Sequence, residues 1–539
     1  MLFLIRGAFY ASSLPLWEGF DEWAHYAVVQ NLASGGHVLF SRDGRISREV
    51  KASLELAPIP WESGGVATSV KHDAYWRLPD QERTSRERKL RSLLVEWARE
   101  PAVGGPPAYE GQQTPLYYWL CAPLYKLTAG LPFLTRVWLL RLFGLLVASA
   151  CIPLGFLAAR IVVEDDLRAL GIVALIAAMP QLMMIVSQIG NHSMAVMMGS
   201  LLLLVLFRWK QEPRSIARTL LLGVVFGLAL LTKAYFLALV PPVFVFVVIW
   251  ARRSGAARQA LVLITCTAVI SMWWYVRNWM LTHSFAGDQI EVAAQRTAGR
   301  SVVGEILEMH WLRTVDFAFL SHIWLAGWSF LVVRSWMYHF LAVFAGFAGA
   351  GLLFRLLWRR KDKPSYSDLL LLSGMYLTFL AAIGYQALGA FETTGFPGAP
   401  GYYLFAIVVA EAILVSTGLE AIAPATVFPA VIPAAVSCLA ALEFFGMHFY
   451  AIPYYTGFIA HFPNGGVPAL KISQLRGGGL TTMLTRLAMN KPEFLNAPVM
   501  AVLWVLFLAS TFALTGVTVY VGWRAHLDQR SRRGHGGSS

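Results

Sequence analysis

The sequence predicts an all-α polytopic membrane protein: about twelve transmembrane helices, a short helix on the outer face, and juxtamembrane helices in a long first outer loop. Three observations carry this expectation. The chain is 57% hydrophobic and only 14% charged, whereas a soluble domain holds about 25% charge. Such a chain cannot cover its own surface with polar groups, so lipid must be its solvent. Apolar runs recur along the whole length. The basic residues sit in short runs between them, at 208–218, 252–258 and 355–363 and in the tail from Arg524, as cytoplasmic loops do. The net charge of +13 therefore points to a membrane and not to nucleic acid.

In chain order, the apolar runs lie near 1–16, 138–159, 169–187, 191–207, 217–232, 235–250, 259–281, 336–358, 366–388, 402–418, 423–445 and 497–521. The first is short and carries Arg6; it reads as an uncleaved first span. Segment 115–131 contains Pro123 and Lys126 and ends at Pro132, which makes it a short helix on or dipping into the outer face. With the basic runs inside, parity puts 17–137, the turn at 187–193, and the loops 283–335, 387–401 and 446–496 outside. The expected division is a body over 1–445, an outer loop over 446–496, a last span over 497–521 and a basic cytoplasmic tail over 522–539. Cys121, Cys151, Cys266 and Cys438 all lie in apolar stretches with no CxxC pair, so neither a disulfide framework nor a zinc site is suggested.

The first outer loop opens with Phe20, Trp23, Ala24, Ala27, Val28 and Leu32 on one helical face. Such a helix is expected along the membrane surface, held by its aromatic anchors. Residues 80–100 read as a second helix, and 40–79 as a loop without clear period. The strongest chemical signal is Phe20-Asp21-Glu22-Trp23-Ala24-His25-Tyr26. Adjacent carboxylates at a membrane surface are expensive unless solvated, paired or functional. On a helix Asp21 and His25 share a face and are able to bind one metal or substrate, while Glu22 points elsewhere. The plainer reading is a helix start with acids favoured by the dipole.

These residues, from Pro15 to Tyr26, resemble the start of the C-type (GT-C) membrane glycosyltransferases. The resemblance is nearest to a bacterial family of membrane proteins related to protein O-mannosyltransferases and the lipid A aminoarabinose transferase. Gln113-Thr114-Pro115-Leu116-Tyr117-Tyr118-Trp119, Leu230-Leu231-Thr232-Lys233, Trp273-Trp274-Tyr275-Val276-Arg277-Asn278 and 398–405 follow in the same order. Asn191-His192-Ser193 stands where relatives usually carry an aspartate, Gln113-Thr114-Pro115 where His-Pro-Pro is more usual, and Tyr402-Tyr403 where an Arg-Tyr pair is frequent.

The resemblance implies a GT-C-like body in the bacterial cytoplasmic membrane, with its active site on the extracytoplasmic face. It implies transfer of a sugar, with inversion, from a polyprenyl-phosphate donor to a glycan, lipid or protein acceptor. Asp21 would then be the catalytic base, and Glu22 would orient the acceptor or hold a divalent metal (Mg or Mn). Metal-ligand candidates are Asp21, His25 and His192; substrate-contact candidates are His25, Gln113, Tyr117, His192, Lys233, Arg277, Asn278 and Tyr402. Lys233, at a hairpin tip, is either a phosphate-neutralising point charge or a snorkelling anchor. Arg277 faces either the carrier phosphate or a bland partner such as Glu291, Glu305 or a lipid headgroup. Arg296, Arg300 and Arg334 are weaker phosphate candidates. The competing classes are a transporter or flippase of a lipid-linked sugar, which would more often show inverted repeats, and a membrane protein without chemistry.

Overall fold

The computed structural model describes residues 1–36, 45–63, 66–287, 302–358, 363–396, 398–424 and 427–535. Arg296 and Arg300 lie outside the described residues. The protein is an all-α membrane protein, with one two-residue parallel strand pair, Pro58–Ile59 against Val70–Lys71, among the described residues. Nine helices there are long and apolar enough to cross a membrane. The pair Asp166–Ala178 and Pro180–Val186, bent by 64°, is either a broken tenth span or a re-entrant loop. Pro180 is the first residue of the second piece, where it has no amide to lose and its ring bars the preceding residue from continuing the helix. About twelve crossings are reached only by adding the short helices Leu2–Ser13 and Ile216–Leu230, of 12 and 15 residues. At 1.5 Å per residue these are about 18 and 22 Å long, against a hydrocarbon core of about 30 Å.

Leu2–Ser13 is held by protein rather than by lipid. It packs on Phe133–Ser149 and on the long C-terminal helix Ala497–His535. Its Arg6 is fully buried, pairs with Glu443 at 2.7 Å and also bonds the Ala177 carbonyl; Tyr10 donates to the same carboxylate at 3.0 Å. Leu116–Thr128, which contains Pro123, has 13 residues and packs on Glu22–Ala33.

The basic runs converge at one end of the bundle. There Lys210 pairs with Asp368, Arg168 with Glu420, and Lys363 with Glu164. The helix His192–Gln211 leads from the turn at 187–191 to that end, about 30 Å away for its 20 residues. Gly199 in this helix admits a close crossing, because a Cβ there would lie 1.7 Å from the Ala406 carbonyl oxygen. Gly199→Ala is therefore expected to force the helix off the 401–407 turn and cost about 1–3 kcal/mol. A lower melting temperature in detergent is the readout.

Several expectations are corrected. Glu22–Ala33 does not lie on a membrane surface; both its faces are covered by protein. Its polar residues are satisfied internally, Gln30 by Glu49 (2.8 Å) and Tyr125 (3.0 Å), so nothing holds the helix at a water boundary. Residues 80–100 break into Asp80–Arg91 and a 3₁₀ turn, Val95–Ala98, and 40–79 contains the helix Arg48–Leu56, capped by Ser47. The boundary at 445 is not a helix end, since winding continues through Met447–Ala451 and Ile452–Tyr455. The tail after 521 continues the last helix to His535.

Candidate active site

Four chain turns and one loop meet at the end opposite the basic runs. The first is the acidic motif. Asp21 caps the helix Glu22–Ala33 with φ at +55°, a left-handed conformation that aspartate tolerates better than most residues. Non-glycine residues held this way cost about 1–3 kcal/mol and cluster at functional sites. Its half-buried carboxylate accepts from the Tyr109 hydroxyl at 2.6 Å.

One turn below, His25 is buried, with Nδ1 2.8 Å from the Tyr118 hydroxyl and 3.9 Å from the Glu110 carboxylate. The loop carrying Tyr109 and Glu110 is fastened at its end, where the Leu116 amide donates to the Leu231 carbonyl at 3.0 Å. That bond brings the 231–233 turn beside it.

Lys233, 5% exposed, leaves this turn in extended conformation. Its ammonium is 2.8 Å from His192 Nε2 and lies over the rings of Tyr403 at 5.0 Å and Tyr235 at 5.3 Å. Tyr402 completes the wall, stacked on Phe20 with centroids 4.8 Å apart and edge-on to His192 at 5.3 Å.

The electrostatics follow from burial. Loss of water pushes the Asp21 carboxyl above its ordinary range, opposed by the Tyr109 hydrogen bond and the Lys233 charge. Burial, with Asp21 nearby, pushes Glu110 up to about 8. Burial brings Lys233 down to about 7, opposed by Glu110 and Asp21. Burial and the same lysine hold His25 well below its usual value. The result is a carboxylate of raised basicity, a carboxyl protonated at neutral pH, and an amine poised to take up charge.

Of the residues expected from the sequence, Asp21, His25, His192, Lys233 and Tyr402 are brought together. Gln113 borders the group, accepting from Asn191 at 3.3 Å. Glu22 is not part of it. Fully buried, it forms a two-pronged pair with Arg141 (2.7 Å for each prong) and accepts the Ile189 amide at 3.0 Å, so its oxygens are committed to structure. Tyr117 accepts the Gly190 amide at 3.1 Å, at a turn that lies against His25 and His192. Arg277 has other surroundings, with its guanidinium over Trp274 at 4.6 Å and Nη1 3.5 Å from Asn278 Oδ1; Asn278 is buried against Gly287. Arg334 lies 5.8 Å over the Phe445 ring.

The metal set Asp21, His25 and His192 does not fit a divalent ion. The Lys233 side-chain nitrogen sits against the His192 ring, 2.8 Å from Nε2, and among the described residues no three His, Cys, Asp or Glu side chains are arranged to hold a metal.

Tyr109, Glu110, Tyr118, Tyr235 and Tyr403 were not singled out as site residues from the sequence. Tyr118 and Tyr403 stand inside the quoted motifs, and Glu110 is an acid three residues before one of them. Nothing in the local pattern distinguishes Tyr109 or Tyr235.

No family model and no curated protein matches the sequence. The solved structures similar to it include two of one protein. One is ArnT from Cupriavidus metallidurans bound to undecaprenyl phosphate, 16% identical over 97% of this chain and 75% of that one, with a TM-score of 0.47. The other is the same protein in the apo state, 18% identical over 77% and 66%, with a TM-score of 0.38.

Proposed function

We propose that the protein is an integral membrane glycosyltransferase that moves a sugar from a polyprenyl-phosphate donor to an extracytoplasmic acceptor with inversion. One observation carries this reading. A carboxylate of raised basicity, Asp21, shares a buried, aromatic-walled site with an amine that gains charge when an anion arrives, Lys233. Base and anion binder side by side suit displacement of a phosphate by a hydroxyl.

In this mechanism Asp21 takes the proton from the acceptor hydroxyl as its oxygen attacks the anomeric carbon. The bond from that carbon to the phosphate oxygen breaks, and the phosphate leaves with the electron pair. Lys233 donates to that oxygen and balances its charge. Glu110, protonated, is a second donor at the same wall. Tyr235, Tyr402 and Tyr403 offer rings to the sugar and keep water out. The position opposite the basic loops supports an extracytoplasmic site under the positive-inside rule.

The test is mass spectrometry of polyprenyl-phosphate sugars and envelope glycans in cells carrying the wild type, Asp21→Asn or a deletion. Donor accumulation with loss of one glycan sugar in both altered strains supports transfer. A deletion phenotype that Asp21→Asn does not reproduce overturns it in favour of transport.

Lys233 adds a pH signature. An anion beside the amine holds its proton, so affinity for polyprenyl phosphate is full below pH 7. It falls as the pH rises beyond 7, by up to about tenfold per unit. Lys233→Gln is expected to weaken binding about 10- to 100-fold at pH 6 and to flatten that slope, read by titration with polyprenyl phosphate in detergent.

A further inference from the structure

The turn that brings Tyr402 and Tyr403 to the site is gripped from behind. Gly401–Ile407 is a 3₁₀ turn laid against the helix Trp311–Ile323. Gly401 allows the close approach, because a Cβ there would lie 1.8 Å from the Ala318 carbonyl oxygen. At this crossing two neighbouring side chains of the helix take both polar groups of the Gly401 main chain. The Gly401 amide donates to Ser321 Oγ at 2.8 Å, and His322 Nδ1 stands 3.2 Å from the Gly401 carbonyl oxygen. The other ring nitrogen, Nε2, is 2.8 Å from the Glu411 carboxylate, and the ring packs on Phe405 with centroids 4.9 Å apart.

A carbonyl oxygen only accepts hydrogen bonds, as an ionised carboxylate does. An imidazole with both nitrogens facing acceptors is best satisfied when it carries two protons. Burial opposes that charge, but Glu411 and the Gly401 carbonyl outweigh it, so the His322 pKa lies above its ordinary value. His322 thus joins the head of the turn to Val408–Ile422, the helix that bears Glu411, through a charge-assisted bond, the stronger kind.

The consequence falls one and two residues later. Tyr402 lies on Phe20 and against His192, as described above. Tyr403 packs on Tyr235 at 5.2 Å and covers the Lys233 nitrogen at 5.0 Å. Burial is the largest influence bringing Lys233 down to about 7, and these rings supply part of it. A turn that lifts away admits water, which moves the amine back toward its ordinary value of about 10.4.

We propose that Ser321 and His322 are positioning residues of this site: by holding Gly401 through its amide and its carbonyl, they keep Tyr402 on Phe20 and Tyr403 over Lys233, and so keep the anion-binding amine dry. The proposal rests on the reading of Lys233 as the group that meets the phosphate.

The test is the pH dependence of Lys233 acetylation by acetic anhydride, read by mass spectrometry of the peptide that carries it. It uses the full-length protein in detergent as wild type, Ser321→Ala, His322→Leu, the double variant and His448→Gln. The titratable groups around the amine (Asp21, Glu110, His25, His192, Tyr235 and Tyr403) are the same in all five. The midpoint is expected at about pH 7 in the wild type and at least about one unit higher in the double variant, with the single variants between. His448 bonds Trp504 and the Phe444 carbonyl, so His448→Gln should lower the melting temperature without moving the midpoint. An unmoved midpoint in the double variant overturns the proposal. So does an equal shift in His448→Gln, or a wild-type amine that titrates at the ordinary lysine value. Titration of the same proteins with polyprenyl phosphate keeps the two readings apart: a wild type that binds none at any pH ends the transferase reading, while the acetylation midpoints still decide the role of Ser321 and His322.

Discussion

Asp21→Asn is expected to lower sugar transfer by about 10²- to 10⁴-fold, the range for loss of a general base. The substitution keeps size and shape and still accepts the Tyr109 hydrogen bond through its amide oxygen, and the helix start loses nothing because the Asp21 side chain makes no cap hydrogen bond. It removes the carboxylate that the proposed mechanism uses to take the acceptor proton. Binding of polyprenyl phosphate should stay within a few-fold of wild type, because neutralising Asp21 removes a repulsion on the phosphate but also one of the two charges that help hold the proton on Lys233. A loss of turnover with retained binding is the signature. Equal loss of both would mean that Asp21 holds the site together and does not act in the chemistry.

Arg141→Ala is expected to be the most destabilising single change at this end, at about 3–5 kcal/mol, the usual result of stranding one partner of a buried ion pair. Arg141 donates twice to Glu22 and three times to main-chain carbonyls, of Ala11 (3.2 Å), Leu14 (2.9 Å) and Pro15 (2.8 Å). One side chain thus closes the end of the first helix, the acidic motif and Phe133–Ser149 on each other. Removing it leaves a carboxylate at 0% exposure with only the Ile189 amide as donor, and takes a donor from three carbonyls, of which Leu14 keeps Lys491 and Pro15 keeps the Glu18 amide. The double variant Glu22→Met, Arg141→Leu should be less damaging than Arg141→Ala, since neither partner of the pair is left charged alone. Melting in detergent distinguishes these outcomes. If the double variant is the worse of the two, the pair contributes net stability beyond the cost of breaking it.

The membrane class was legible because hydropathy acts over whole segments, and Asp21, His25, His192, Lys233 and Tyr402 were legible because they sit in short ordered motifs. Glu22 was misread for a physical reason. A carboxylate beside Asp21 has the same local pattern whether it faces substrate or an arginine 119 positions later. Helical spacing separated the two side chains correctly but could not say what awaited Glu22. The helix 22–33 failed similarly: its apolar stripe fits a lipid surface or a protein interior equally, and the choice rests on Glu49, Tyr125 and Arg141 from distant segments. Tyr109 and Tyr235 left no trace, since a loop tyrosine has no periodicity to betray its partner.

The buried pair of Arg6 and Glu443 also orders events in time. The two are separated by 437 positions, so at 5–20 residues per second about 20–90 s of synthesis pass between them. Throughout that interval an arginine on a short apolar helix has no counter-charge, at a cost of about 2.5–3.5 kcal/mol if it sits at the bilayer centre. Its counter-charge arrives only with Glu443, and its packing partner Ala497–His535 later still, so a ribosome that stalls before residue 443 leaves Arg6 without its carboxylate.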